Sequence, residues 1–160
     1  MKNIILFRHG KSSWDMQVTD MARDLEKSGV ERTKKSAKAL CEYPDFSPDA
    51  WFSSPATRAR KTAEISAQFF SNPLIEFDDK LYTFSFFDLL KFIKNLDNSI
   101  QSPIFFGHNE AFTEFVNRMG HKYLENLPTS GVAVLSFDIN NWTDISKGTT
   151  QLILKPKELQ

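Results

Sequence analysis

The sequence predicts a three-layer α/β/α fold with a mainly parallel central sheet, and three observations predict it. Short apolar runs alternate with longer stretches of helical periodicity, the pattern of βαβ units. The early runs are apolar at every position rather than at every second one, as strands covered on both faces are. Gly, Pro and Ser residues punctuate those runs.

The first strand is read at Ile4-Ile5-Leu6-Phe7, closed by Arg8-His9-Gly10. Val30, Thr33, Ala37, Leu40 and Cys41 then share a helical face, which places Cys41 inside and inert. A second strand, Ala50-Trp51-Phe52, runs into Ser53-Ser54-Pro55. Ser54 followed by Pro55 reads as a helix start, a hydroxyl N-cap with proline at the first helical position. That helix carries Ala59, Thr62, Ala63, Ser66, Phe69 and Phe70 on one side. Phe86, Leu89, Leu90, Ile93 and Leu96 mark a third helix. Ile104-Phe105-Phe106 is a third strand between Pro103 and Gly107, and Phe112, Phe115, Val116 and Met119 mark a fourth helix. Residues 132–137 and 151–154 read as an edge hairpin joined by the polar segment 138–149.

A chain of 160 residues with 41% hydrophobic residues is expected to form one domain, 1–160. Twenty basic and twenty acidic residues cancel, so overall charge favours neither nucleic acid nor an anionic membrane. An anion must then be bound by a local site. The single cysteine fits a reducing compartment, and the apolar run at the amino terminus is too short for a secretory signal or a membrane span. These readings predict a cytoplasmic protein. They leave the oligomeric state open, with a monomer compatible.

Each of the three buried-strand candidates leads directly to a group suited to phosphate. Arg8 and His9 close the first, Arg58 lies one turn into the helix after the second, and His108 follows the third. In open α/β sheets, ligands bind outside the carboxyl ends of the strands, so these four residues are expected to converge there. Arginine offers a fork of donors matched to phosphate oxygens, and histidine is a nucleophile when neutral or a donor when charged. No cluster of His, Cys, Asp and Glu has metal-ligand spacing, and neither metal nor cofactor is expected. Trp14, Trp51 and Trp142 read as core or rim packing, and His121 as a turn residue at a helix end.

Five ordered segments carry a resemblance across nearly the whole chain. They are Phe7-Arg8-His9-Gly10-Lys11-Ser12-Ser13-Trp14-Asp15, the stretch from Ser53-Ser54-Pro55 through Arg58 to Ala63, Leu81-Tyr82, Gly107-His108-Asn109-Glu110, and Leu127-Pro128-Thr129-Ser130-Gly131-Val132-Ala133. In this order they resemble the histidine phosphatase superfamily, in particular its SixA-like phosphohistidine phosphatases. The resemblance implies a phosphoglycerate mutase-like fold without a large cap insertion. It makes His9 the nucleophile, Arg8 and Arg58 the clamps on the phosphoryl oxygens, and His108 a second pocket histidine, charged or donating. Arg23 is similar to a further family arginine near the pocket, although Asp24 stands where a proline is usual. Ser12 and Asp15 fall where mutase-like relatives place a small hydroxyl residue and an asparagine. Asp15 is expected to orient side chains or cap the loop, since a carboxylate repels a dianion. Ser12 and Arg23 are therefore substrate-binding candidates, and Lys11 either attracts substrate or is plainly exposed.

Larger relatives place an acidic residue before the third helix to protonate a leaving alkoxide. Here Leu81-Tyr82-Thr83-Phe84-Ser85 holds no carboxylate, and only Asp88 and Glu110 stand as substitutes. That absence favours a phosphorylated protein bearing phosphohistidine, whose imidazole leaves unaided, over a small phosphomonoester. The alternative is a catalytically weak phosphate-binding module that recognises phosphorylated proteins.

Overall fold

The computed structural model describes residues 1–14 and 17–160. Asp15 lies outside the described residues, and so does the role expected of it. Among the described residues the sheet has six strands, in the order β3-β2-β4-β1-β5-β6. These are β1 (Lys2–Arg8), β2 (Ala50–Ser53), β3 (Ile75–Phe77), β4 (Pro103–Gly107), β5 (Val132–Phe137) and β6 (Thr149–Leu154). Strands β3, β2, β4 and β1 run parallel, whereas β5 and β6 are antiparallel and form the edge hairpin. Strand β3 is absent from the sequence reading, and the last strand starts two residues earlier than expected.

The all-apolar character of β1 follows from its central place. Ile4 and Leu6 enter one core while Ile5 and Phe7 enter the other, so each needs an apolar side chain. Helices α1 (Lys27–Cys41) and α2 (Thr57–Ala67) cover the Phe7 face through Ala37, Leu40, Ala63 and Ala67. Helices α3 (Phe86–Lys94) and α4 (Ala111–Met119) cover the Leu6 face through Leu89, Ile93, Phe115 and Val116. Stacked rings cross the strands on each side: Phe106 lies 5.0 Å from Phe7 and 5.6 Å from Trp51, and Phe105 lies 5.4 Å from Phe52. Aromatic bulk therefore fills the space between layers that long aliphatics fill in other sheets.

Two local expectations are corrected. Helix α2 begins at Thr57, with Ala56 at its cap position. Ser54 is not the N-cap; its Oγ accepts the Ala56 N–H at 3.2 Å and is held to other work in the site. Cys41 is exposed, because the last residue of α1 turns about 100° beyond buried Leu40, and its Sγ donates to the Lys38 carbonyl at 3.0 Å. Of the tryptophans, Trp51 and Trp142 are buried, and Trp14 is exposed. His121 follows α4 and accepts the Thr150 N–H at 2.9 Å, which ties that turn to β6.

Candidate active site

The carboxyl ends of β1, β2 and β4 meet at one point. The His9 N–H donates to the Gly107 carbonyl at 3.1 Å, and the Ser54 N–H to the Phe106 carbonyl at 2.9 Å, so three strand ends are laced together by backbone. Gly10 packs tightly here: a Cβ on it would lie 2.9 Å from Thr33 Oγ1, and its N–H donates to Thr62 Oγ1 of α2 at 2.9 Å. Gly29 lets α1 pass even closer, since a Cβ there would meet the Lys11 carbonyl oxygen at 2.4 Å. On the other side Ser130, at φ 59°, donates its N–H to the Arg8 and His9 carbonyls at 3.2 and 3.0 Å. The nucleophile candidate thus sits in a loop fastened from three directions.

The hydrogen bonds decide the histidine tautomers. His9 Nδ1 lies 2.7 Å from the Gly10 carbonyl oxygen, which can only accept. The proton is therefore on Nδ1, and Nε2 keeps its lone pair. Burial pulls the His9 pKa down to about 4, helped by the charges of Arg58, Arg8 and Arg23 and opposed by the Gly10 bond. His108 Nδ1 lies 3.4 Å from Arg58 Nη2, and its Nε2 lies 2.9 Å from Ser54 Oγ. A guanidinium cannot accept, so His108 donates from Nε2 to Ser54. Burial, with His9 and Arg58 adding to it, lowers the His108 pKa to about 3. Of the two states expected for His108, the structure holds the neutral donor. The two rings face each other with centroids 5.3 Å apart.

Arg58, 2% exposed, donates from Nη1 to the Asp20 carbonyl at 2.6 Å and from Nη2 to Asp20 Oδ2 at 3.0 Å. Arg8 donates from Nη1 to the Leu127 carbonyl at 2.8 Å. The Nε atoms of both arginines are buried with no protein partner. Each such donor costs about 1–3 kcal/mol when unpaired, and an anionic oxygen is the partner it suits.

Arg23 is buried beside this group rather than on the surface. It donates to Ser12 Oγ, to the Ser13 carbonyl at 2.9 Å and to Asp20 Oδ1 at 2.9 Å, while Trp14 covers its guanidinium at 3.5 Å. Ser12 is accordingly engaged by Arg23. Lys11 is half-exposed and pairs with Glu26 at 3.4 Å.

Sequence reasoning missed Asp20. Its carboxylate gathers Arg58, Arg23 and the Tyr82 hydroxyl, the last at 2.5 Å. The Tyr82 bond, then the bonds of the two arginines, hold Asp20 far below the usual carboxylate range, and the same bond raises the Tyr82 pKa. The one local signal was the three-residue spacing of Asp20 and Arg23. Tyr82 and Phe84 set their rings edge-on to His108, at 5.4 and 5.3 Å. Glu110 is exposed at the α4 cap position, and Asp88 accepts the Thr83 hydroxyl at 2.8 Å. Among the described residues, no group of three His, Cys, Asp or Glu side chains is placed to hold a metal ion.

Comparison with known proteins bears on the family and the fold. A family model described as "Histidine phosphatase superfamily (branch 1)" matches residues 4–89. A Bacillus subtilis (strain 168) protein named as a phosphatase, PhoE, is 34% identical over 83 residues, which span 49% of this chain and 41% of that one. A chloroplastic protein of Arabidopsis thaliana is 27% identical over 154 residues, covering 89% of this chain and 70% of its own. The structure of an Agrobacterium tumefaciens protein described as a phosphohistidine phosphatase, SixA, superposes with a TM-score of 0.81 at 23% identity, covering 97% of this chain and 98% of that one. This last similarity concerns the fold.

Proposed function

The chain belongs to the histidine phosphatase superfamily, and from that premise we propose that it is a phosphatase whose His9 is transiently phosphorylated and whose preferred donor is phosphohistidine in a protein. The observation that carries the reading is the His9 tautomer, neutral and with its Nε2 lone pair beside Arg8, Arg58 and His108. Nε2 attacks phosphorus in line as the P–N bond of the donor breaks. The arginines stabilise charge on the equatorial oxygens, with His108 held neutral beside them by its bonds to Arg58 and Ser54. Phosphorylated His9 keeps its Nδ1–H on the Gly10 carbonyl. When water attacks phosphorus, His9 therefore departs as a neutral imidazole and the cycle closes.

The donor preference follows from the proton inventory. Asp20 is held ionised and the Tyr82 proton is committed to it, so neither supplies a proton to a leaving group. Glu110 is exposed and Asp88 is turned to Thr83. An alkoxide leaves poorly without an acid. A phosphohistidine ring protonated on its other nitrogen leaves as neutral imidazole, with a conjugate-acid pKa near ~6.5. Comparing kcat/KM for a phosphoramidate or phosphohistidine peptide with that for an alkyl phosphate tests the reading. The phosphoramidate is expected to be the better substrate, and a preference for the alkyl ester would overturn it. Phosphate binding without turnover of either would leave a binding module.

Two further outcomes are expected. Because only neutral His9 attacks and its pKa lies at about 4, kcat/KM measured with a substrate that does not itself titrate should stay level as pH falls from 7 to 5. It should then decline toward pH 4; a decline centred at 6.5 would show that burial does not hold the His9 pKa down. Asp20→Asn should lower kcat by roughly tenfold, the scale of one charge-assisted bond at a half-exposed group. Inhibition by inorganic phosphate should weaken by much less, because the positive groups remain.

A further inference from the structure

A recess on the β1–β5 side of His9 shares only Arg8 with the chemistry above. It is a cavity of about 460 Å3 whose lining includes Arg8, Arg32, Lys155, Lys157, Thr129 and Glu158. Four cations and one carboxylate face it, in a chain whose formal net charge is zero. They are not a run of like charges along one segment. Arg8 ends β1, Arg32 comes from α1, and Lys155 and Lys157 come from the turn after β6. Among the described residues, Arg32, Lys155 and Lys157 form no ion pair. Four positive groups held round one cavity repel one another, and an anion in their midst relieves that repulsion.

The opposite flank carries the opposite sign. Beyond Tyr82 a groove of about 750 Å3 presents Glu76, Asp78, Asp79, Asp88 and Asp97 against Lys80 and Lys91. The phosphoryl site thus lies between a basic recess on the β1 side and an acidic groove on the β3 side. A small phosphomonoester fills the site and meets neither. A polypeptide that crosses the site meets both, since an extended chain advances ~3.3 Å per residue.

We propose that the basic recess is a subsite for an acidic segment of a polypeptide substrate, within a few residues of the phosphorylated side chain. It rests on the phosphoprotein reading above and specifies what flanks the phosphoryl group. Arg8 belongs to both sites, one side to the phosphoryl oxygens and one to the flanking carboxylates. The acidic groove turns the same segment away from the other flank and so fixes one orientation of the chain.

The test uses peptides of equal length that carry a non-hydrolysable phosphoryl-triazole analogue of phosphohistidine, with acidic, neutral or basic residues on one side. Their binding to the wild-type protein is compared with binding to the triple variant Arg32→Glu, Lys155→Glu, Lys157→Glu. All three side chains are at least partly exposed, so the variant should fold, which circular dichroism checks. At low salt the wild type should bind the acidic-flanked peptide roughly tenfold more tightly than the neutral one, the scale of two or three partly exposed charge contacts. The advantage should shrink as salt rises. The variant should lose it while hydrolysing a small phosphoramidate at the wild-type rate. Equal affinity of the wild type for acidic and neutral flanks overturns the proposal, as does a preference that survives in the variant. Flank-independent peptide binding together with pyrophosphate binding that the variant loses assigns the recess to a second phosphate instead, and also overturns it. A wild type that hydrolyses no phosphoramidate refutes the enzymatic reading alone, because the peptide affinities still decide the subsite.

Discussion

His9→Ala should abolish turnover, by roughly 10⁴-fold or more, the scale at which loss of a covalent nucleophile is felt. The same variant should still bind inorganic phosphate, since Arg8, Arg58 and His108 remain in place. This split follows from the site's geometry. His9 supplies the lone pair at Nε2, fixed by the Nδ1 bond to the Gly10 carbonyl at 2.7 Å, whereas the arginines supply most of the charge that holds an anion. His108 is not a substitute nucleophile, because its Nδ1 faces the Arg58 guanidinium and its Nε2–H is spent on Ser54. Trapping during turnover, under alkaline denaturing conditions that preserve an acid-labile P–N bond, should place phosphate on the peptide that contains His9. Phosphate on Ser12, Ser13 or His108, with His9→Ala still active, would refute the mechanism while leaving the fold intact.

The parts of this molecule that the sequence discloses are those whose constraint is local. Ile4 to Phe7 must be apolar because both faces of β1 are covered, and the residues after strand ends must meet because parallel strands end at one edge. Hence Arg8, His9, Arg58 and His108 could be brought together from spacing and strand order. Strand β3 is only three residues long, with Glu76 and Phe77 exposed, so it shows neither an apolar run nor a clear alternation. Ser54 looked like a cap because a hydroxyl before proline is a local signal; its bond to His108, 54 residues away, is not. Asp20 shows the limit most plainly. Its partners Arg58 and Tyr82 lie 38 and 62 residues along the chain, and a carboxylate in a loop carries no local mark of such bonds. The resemblance supplied roles where periodicity could not, and it left the protonation state of His108 for the hydrogen bonds to decide.

Arg58 bonds both Asp20 and His108 and its charge acts on both histidines, so its removal should be the most damaging change after loss of the nucleophile. Arg58→Ala should lower kcat by roughly 10²- to 10³-fold, the usual scale for one transition-state donor. It should also move the pH profile. Burial is the main cause of the low His9 pKa, but the Arg58 charge adds to it for both His9 and His108. Without that charge the protonated rings are less disfavoured, so the acid limb of kcat/KM should shift upward from about 4 toward 6.5. Arg58→Lys separates the two effects. Lysine keeps a positive charge, so the limb should stay low. It cannot reproduce the fork that reaches the Asp20 carbonyl at 2.6 Å and Asp20 Oδ2 at 3.0 Å and still aim a third donor into the site. Most of the loss in kcat should therefore persist in the lysine variant. A lysine variant with full activity would show that charge alone suffices. An alanine variant within tenfold of wild type, with its acid limb unmoved, would remove Arg58 from the phosphoryl site altogether.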